Sequence, residues 1–511
     1  MNRQSDLNGR SAGILLPVFS LPSSCGIGTP GKEACVFADH LKKAGVRYWQ
    51  ILPIGQPGSG NSPYSCVSSF AGNPLLIDPE LLEEEGLLLP EELRDFRTYF
   101  AEDPDDAGPE RIRYEKLKER KLPLLRRAYE RAGEDRRREL RDFCEENKSW
   151  LLPYLRFMIL KEINGGRPWN TWKDAGPQTP VEEAFPEEAG FYAFLQYVFY
   201  KQWNGLHSYV NRLGIRIIGD LPIYVPFDSV DVWSEPEQFR LAENSEPAFV
   251  SGVPPDAFSE TGQLWGNPVY DYRRMAEDGY GWWIRRVGGA VRLADVIRID
   301  HFRGFASYYV IPAGEADAGK GFWEPGPGMD LVGRLTGWFP DTAFIAEDLG
   351  MITDDVRLLL EQSGLPGMRV LEFAFAPGQD SSHLPHHHTA DTVCYTGTHD
   401  NAPLALWEQE ADKKEVEFAR AYLGTDPGRG LGEAMIRAAY ASVADLTVVP
   451  MQDWLGLGAG ARINIPGIPE GNWTWRMKAG AFTEALETRI RRMGALYGRG
   501  AGGTENDVST E

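Results

Sequence analysis

The chain has 511 residues, 42% of them hydrophobic, with 53 Lys and Arg against 74 Asp and Glu for a net charge of −21. That charge argues against nucleic acid and anionic membrane as partners, because both require a basic footprint. Five scattered cysteines with no CxxC pair form neither a disulfide framework nor a zinc site. The opening MNRQSDLNGRSAG carries no apolar leader core, and no apolar run approaches the ~18 residues that span a bilayer, so a reducing cytoplasmic location is expected.

Length alone suggests about three domains, but one α/β barrel with insertions can exceed ~400 residues. Taken in order, short β-rich runs that end in polar residues occur at Ile14–Val18, Tyr48–Ile54, Arg216–Leu221, Val296–Asp300, Ala343–Glu347, Met368–Phe373, Thr392–Thr396 and Leu446–Pro450. Helical stretches between them predict the α/β class and a (β/α)8 TIM barrel spanning residues 1–511 as a single catalytic unit. Uneven spacing locates large, mainly helical insertions. Residues 79–213 exceed one crossover; within them Glu110 to Trp150 reads as surface helices, and the acids around Arg136, Arg137 and Arg138 offset that basic run. Residues 233–283, rich in Pro, Gly and aromatics, read as an active-site loop region or lid. The Gly-rich stretch 499–511 is expected to be a disordered tail.

Barrel sites lie at the C-terminal ends of the strands, where Asp220, Asp300, Glu347, Asp400 and Asp453 fall. In Val296 to Gly304 the strand alternation puts Arg298 and Asp300 on one face. A guanidinium there holds the carboxylate ionised, as a nucleophile requires, although an ordinary ion pair has the same pattern. Apolar run, carboxylate and glycine turn recur at Phe344 to Gly350 and Val393 to Asn401. Clustered carboxylates raise at least one pKa and leave an acid beside ionised neighbours, the pair that glycoside chemistry uses. The alternative is a metal bound at Asp300-His301, Glu347-Asp348 and His399-Asp400. Arg298 would repel a cation, and the other mouth candidates (Tyr64, Trp265, Asn267, Asn464, Trp473) are aromatic or neutral and suit a sugar. No metal and no cofactor is therefore expected. The stretch His383 to His388 also invites a metal reading, but adjacent histidines do not readily face one point, so a solvated loop is expected.

These stretches resemble the amylomaltase family, the 4-α-glucanotransferases (disproportionating enzymes) of the α-amylase clan. The resemblance rests on SGVPPDAFSETGQLWGNPVY (251–270), GDLPIYVPFDSVDVW (219–233), RIDHFRGF (298–305), AEDLG (346–350), YTGTHDN (395–401) and GNWTWR (471–476). GILLPVFSLPSSCGIG (13–28), NSPYS (61–65) and ARINIPG (461–467) extend it over nearly the whole chain. It implies Asp300 as nucleophile, Glu347 as general acid/base and Asp400 as the residue holding sugar hydroxyls in the transition state. It further implies Tyr64, Asp220, Pro255, Asp256, Trp265, Arg298, His399 and Asn464 around the substrate, with maltooligosaccharides, α-1,4-glucans and glucose as the molecules bound. Ala376 departs from the family pattern, which often has an acid there; any role of that acid is lost or passes to Asp380. Two other readings stay open at this point: an α-glucan hydrolase of the same clan and a sugar-binding barrel without chemistry.

Overall fold

The computed structural model describes residues 7, 9–58, 60–101, 110–173, 176–255, 260–378, 380–426, 428–468 and 470–500. Twelve strands are found among them: β1 (Ser11–Leu15), β2 (Tyr48–Gln50), β3 (Arg216–Leu221), β4 (Phe249–Val253), β5 (Gln263–Pro268), β6 (Val296–Ile299), β7 (Ser307–Pro312), β8 (Phe322–Pro325), β9 (Ala343–Ala346), β10 (Gly367–Val370), β11 (Thr392–Tyr395) and β12 (Leu446–Pro450). Eight of them, β1-β2-β3-β6-β9-β10-β11-β12, pair in parallel and close into a barrel. All eight runs singled out in the sequence contribute a barrel strand.

Their β-branched residues are the reason. A strand buried on both faces reads as a continuous apolar run, and β6, β9, β11 and β12 are buried throughout. At Gly219 in β3 the neighbouring chain comes so close that an added Cβ would lie 2.7 Å from the Ala294 Cβ. The register aligns Asp220 with Arg298 and Ile299 with Ala346. Asp300 and Glu347, each one residue beyond the paired stretch, therefore emerge side by side at the C-terminal face.

Most crossovers carry an α-helix, such as Lys32–Lys43, Gly281–Val291, Gly328–Trp338 and Asp354–Ser363. Between β10 and β11 the described residues hold only two 3-10 turns, Leu371–Phe373 and Pro385–His387. Pro377, Gly378 and Pro385 oppose a helix there. Side chains anchor this segment instead: His383 Nδ1 accepts from the Val370 N–H at 3.1 Å, and His388 meets Ser442 Oγ at 2.7 Å.

Between β2 and β3 lie helices Pro79–Glu84, Pro90–Ala101, Tyr114–Glu130, Glu134–Glu146, Lys148–Ile163 and Val181–Ala184, followed by the 27-residue helix Pro186–Arg212. Glu134–Glu146 buries no residue, and its basic run is matched by acids: Arg136 pairs with Glu85 and Glu139, Arg138 with Asp135. Between β3 and β6 the Pro- and Gly-rich stretch forms the β4–β5 hairpin, which joins β7 and β8 in an antiparallel sheet ordered β5-β4-β7-β8. Trp282 and Trp283, further along, are buried.

The expectation of a tail disordered from residue 499 fails at its first position. Arg499 is fully buried and donates to the carbonyls of Ser11, Tyr440, Ser442, Ala444 and Asp445. Its guanidinium gathers the carbonyls at the end of the helix Leu431–Ala441 and of the link into β12, together with that of Ser11 in β1. Residues 501–511 lie outside the described residues.

Candidate active site

Four carboxylates occupy successive depths at the C-terminal end of the barrel. The Asp220 side chain has no exposed surface, Glu347 shows 10%, Asp300 27% and Asp400 46%. Arg298, itself buried, joins the deeper three. Its Nη1 donates to Asp220 at 2.7 and 2.8 Å and to Asp300 Oδ1 at 3.1 Å, while Nη2 lies 3.9 Å from Glu347 Oε2. The guanidinium fills the space where a metal would need to sit among these oxygens. Asp220 thus lies one layer below the substrate residues implied by the resemblance: it holds Arg298 and accepts from the Tyr64 hydroxyl at 2.7 Å.

Burial raises the pKa of both Asp300 and Glu347. Arg298 offsets the rise in each, and their mutual charge adds to that of Glu347. The hydrogen bond from Arg298 goes to Asp300, whereas its distance to Glu347 is 3.9 Å. The guanidinium therefore favours the ionised form more strongly at Asp300 and leaves Glu347 as the group that keeps its proton. Glu347 is also fixed at both oxygens: the His301 N–H donates to Oε2 at 2.5 Å and the Leu349 N–H to Oε1 at 3.0 Å.

His301 was named in the sequence only as a ligand in the alternative metal reading. It adopts a left-handed backbone (φ +48°) directly after Asp300, uncommon for a residue with a side chain, and this turn aims its N–H at Glu347. Its ring, kept neutral by burial with the pKa pushed down to about 3, meets Trp265 edge to face at 4.8 Å between centroids. Its place between the Asp300 strand end and Phe302 was the available signal; histidine enters this region more often than most side-chain residues, but the residue type alone does not give the positive φ.

On the opposite side, Tyr64 stacks on His399 with centroids 5.1 Å apart and planes 18° apart, and Trp473 closes the cluster. Burial lowers the His399 pKa, so its ring is neutral and holds Asp400 at 3.4 Å without an added charge. Asn464 donates to Asp400 Oδ1 at 2.6 Å. The turn bearing His399 and Asp400 is braced from below: Asp453 accepts from Thr396 Oγ1 at 2.7 Å, and burial raises its pKa to about 6. Gly397 leaves room there for the end of the Glu372 side chain, whose Oε1 would stand 2.5 Å from an added Cβ.

Trp265 sits in β5 with 37% of its surface exposed, and Pro255 is exposed at the end of the hairpin's first arm. Asp256 lies outside the described residues. Asp380 pairs with His387 on the β10–β11 crossover. The structure thus brings together Asp300, Glu347, Arg298 and Asp220 on one side and Asp400, His399, Tyr64 and Asn464 on the other. Trp265 reaches the first group through His301. The arrangement offers a carboxyl hydrogen-bonded to a guanidinium, a neighbouring buried carboxyl of raised pKa and flat rings, the set that retaining glycoside chemistry uses.

A family model described as 4-alpha-glucanotransferase matches residues 16–483. The 4-alpha-glucanotransferase of Aquifex aeolicus is 44% identical over 501 residues, covering 96% of this chain and 99% of the relative. That of Clostridium butyricum is 41% identical over 490 residues, covering 94% and 99%. The amylomaltase from Streptococcus agalactiae in complex with acarbose matches with a TM-score of 0.91 at 37% identity, over 96% of this chain and 100% of that one.

Proposed function

The chain belongs to the 4-alpha-glucanotransferase family, and on that premise we propose that it moves α-1,4-glucan segments between maltodextrins, or to glucose, by double displacement. Asp300 attacks the anomeric carbon of the donor as Glu347 passes its proton to the departing glycosidic oxygen; the C–O bond breaks and a glycosyl-enzyme ester forms. Glu347, now a carboxylate, takes the proton of the incoming 4-hydroxyl as that oxygen attacks the same carbon and releases Asp300. Two inversions retain the α configuration.

Asp400, held by Asn464 and His399, receives the sugar's hydroxyls where positive charge grows on the ring. Tyr64 offers a face for the reacting glucose. Arg298 keeps the nucleophile ionised, and Asp220 keeps Arg298 in place. Pro255, Asp256 and Trp265 border the acceptor side. In the same reading residues 79–213 and 233–283 are subdomains inserted into one catalytic barrel. The site of action is the cytoplasm, a reading supported by five cysteines that are all free.

The observation that carries this reading is Arg298 in contact with Asp220 and Asp300 and within 4 Å of Glu347. It makes two neighbouring carboxyls unequal, one to attack and one to protonate. Incubation with maltotriose alone, with products resolved by length, tests it: glucose together with maltopentaose and longer chains is the expected outcome. Glucose and maltose alone would mean that water intercepts the intermediate and would overturn the transfer reading.

A further inference from the structure

We propose that Asp380, His386 and His387 form a surface site for one divalent transition-metal ion of the zinc class, apart from the catalytic mouth. The chain has eight histidines. His301 and His399 belong to the mouth, while His40 and His207 pair with Glu487 and Asp295. His383 and His388 are occupied in holding the β10–β11 crossover, and burial lowers the pKa of each to about 4. His386 and His387 remain, both exposed on the 3-10 turn Pro385–His387.

Adjacent histidines on an extended backbone diverge. The turn removes that objection: anchored at His383 and His388, it brings the two rings to 4.1 Å between centroids. His387 Nε2 is 2.5 Å from Asp380 Oδ1, and the ligand atoms of all three residues lie within 4.8 Å of one another. A tetrahedral ion with bonds of about 2.0–2.1 Å needs ligand atoms about 3.3 Å apart. Rotation of exposed side chains covers the difference without moving the barrel.

His386 Nδ1 meets the Tyr422 hydroxyl at 2.8 Å, which orients the ring and leaves Nε2 to coordinate. A metal-bound imidazole usually has such a partner on its other nitrogen. Two neutral imidazoles and one carboxylate suit Zn²⁺, Ni²⁺ or Cu²⁺ and not Mg²⁺, which prefers oxygen ligands and water. Water would complete the coordination of an open three-ligand site.

The test is calorimetric titration of the chelator-stripped full chain with zinc chloride, with magnesium chloride as control. One zinc per chain and no magnesium heat are expected. His386→Ala and His387→Ala should each weaken zinc binding at least tenfold, and the double variant should abolish it. Glucanotransferase activity of the zinc-free variants should equal that of the parent, which shows that the fold is intact. No stoichiometric binding up to millimolar zinc would overturn the proposal and leave His387 and Asp380 an ordinary ion pair. Binding that survives in the double variant would also overturn it, placing the ion at His40 or His207.

Discussion

The floor of the mouth and the hairpin at its rim are built on opposite terms. The side chains of Arg298, Asp220 and Glu347 are buried at the ends of paired parallel strands, with Arg298 donating to Asp220 and backbone N–H groups donating to Glu347. Trp265 and Leu264, on β5, are exposed, and the β4–β5 pairing shifts register between Val250 and Gly252. Chemistry that depends on unequal carboxyls needs fixed distances and little water, which strand ends in a closed barrel provide. Partition between water and sugar needs a surface that sugars can enter and leave, which an edge hairpin provides. Under the proposed mechanism the floor sets whether a bond breaks, and the rim sets what completes the reaction.

The comparison breaks most sharply at the floor. Asp300→Asn should lower kcat by more than about 10⁴-fold, and Glu347→Gln by about 10²–10⁴-fold, with binding of maltooligosaccharides retained; an active Asp300→Asn enzyme would refute the assignment. The pH profile gives the sign. Turnover requires Asp300 without its proton and Glu347 with it, so the rate rises through the first pKa and falls through the second. Burial raises both, moving the profile upward. The alkaline limb should disappear in what activity Glu347→Gln retains.

Asp220→Asn comes next. It removes a fully enclosed charge from Arg298 and should cost roughly 3–5 kcal/mol of stability, read by urea unfolding, together with a loss of kcat. Retained stability would show that Asp300 and Glu347 suffice to hold the guanidinium. Trp265→Ala is the smallest: stability within about 0.5 kcal/mol of the parent, KM for acceptor raised, and hydrolysis increased relative to transfer when free glucose and longer chains are counted from maltotriose. A large loss of stability there would erase the distinction between rim and floor.

The barrel and its carboxylates were legible because strand burial writes long apolar runs and because polar residues stop those runs at the catalytic end. Asp300, Glu347 and Asp400 each follow such a run. The donors that grip Glu347 were not legible, since they are backbone N–H groups: that of His301 is aimed in a turn of positive φ, and that of Leu349 by the turn after β9. Asp220 was expected to border the site or to be structural, and the register sets it against Arg298. Gly and Pro made residues 233–283 read as loop, yet cross-strand partners in β7 turn part of it into sheet. Arg499 sits in a Gly-rich ending that composition marks as disorder, and its five carbonyl partners come from distant parts of the chain.

Those partners give the Arg499 seam a consequence in time. The barrel closes where β1 meets β12, joining Ser11 to Leu446, and Arg499 ties the same seam to the Ser11 carbonyl. A chain growing from its N-terminus can build β1, β2 and the helices that follow, but the first strand waits with an open edge until β12 is made. Such distant pairing is slow to form and exposes unpaired strand meanwhile. Closure therefore waits for β12, and a chain cut short ahead of Arg499 would carry Asp300, Glu347 and Asp400 beside an unlocked seam.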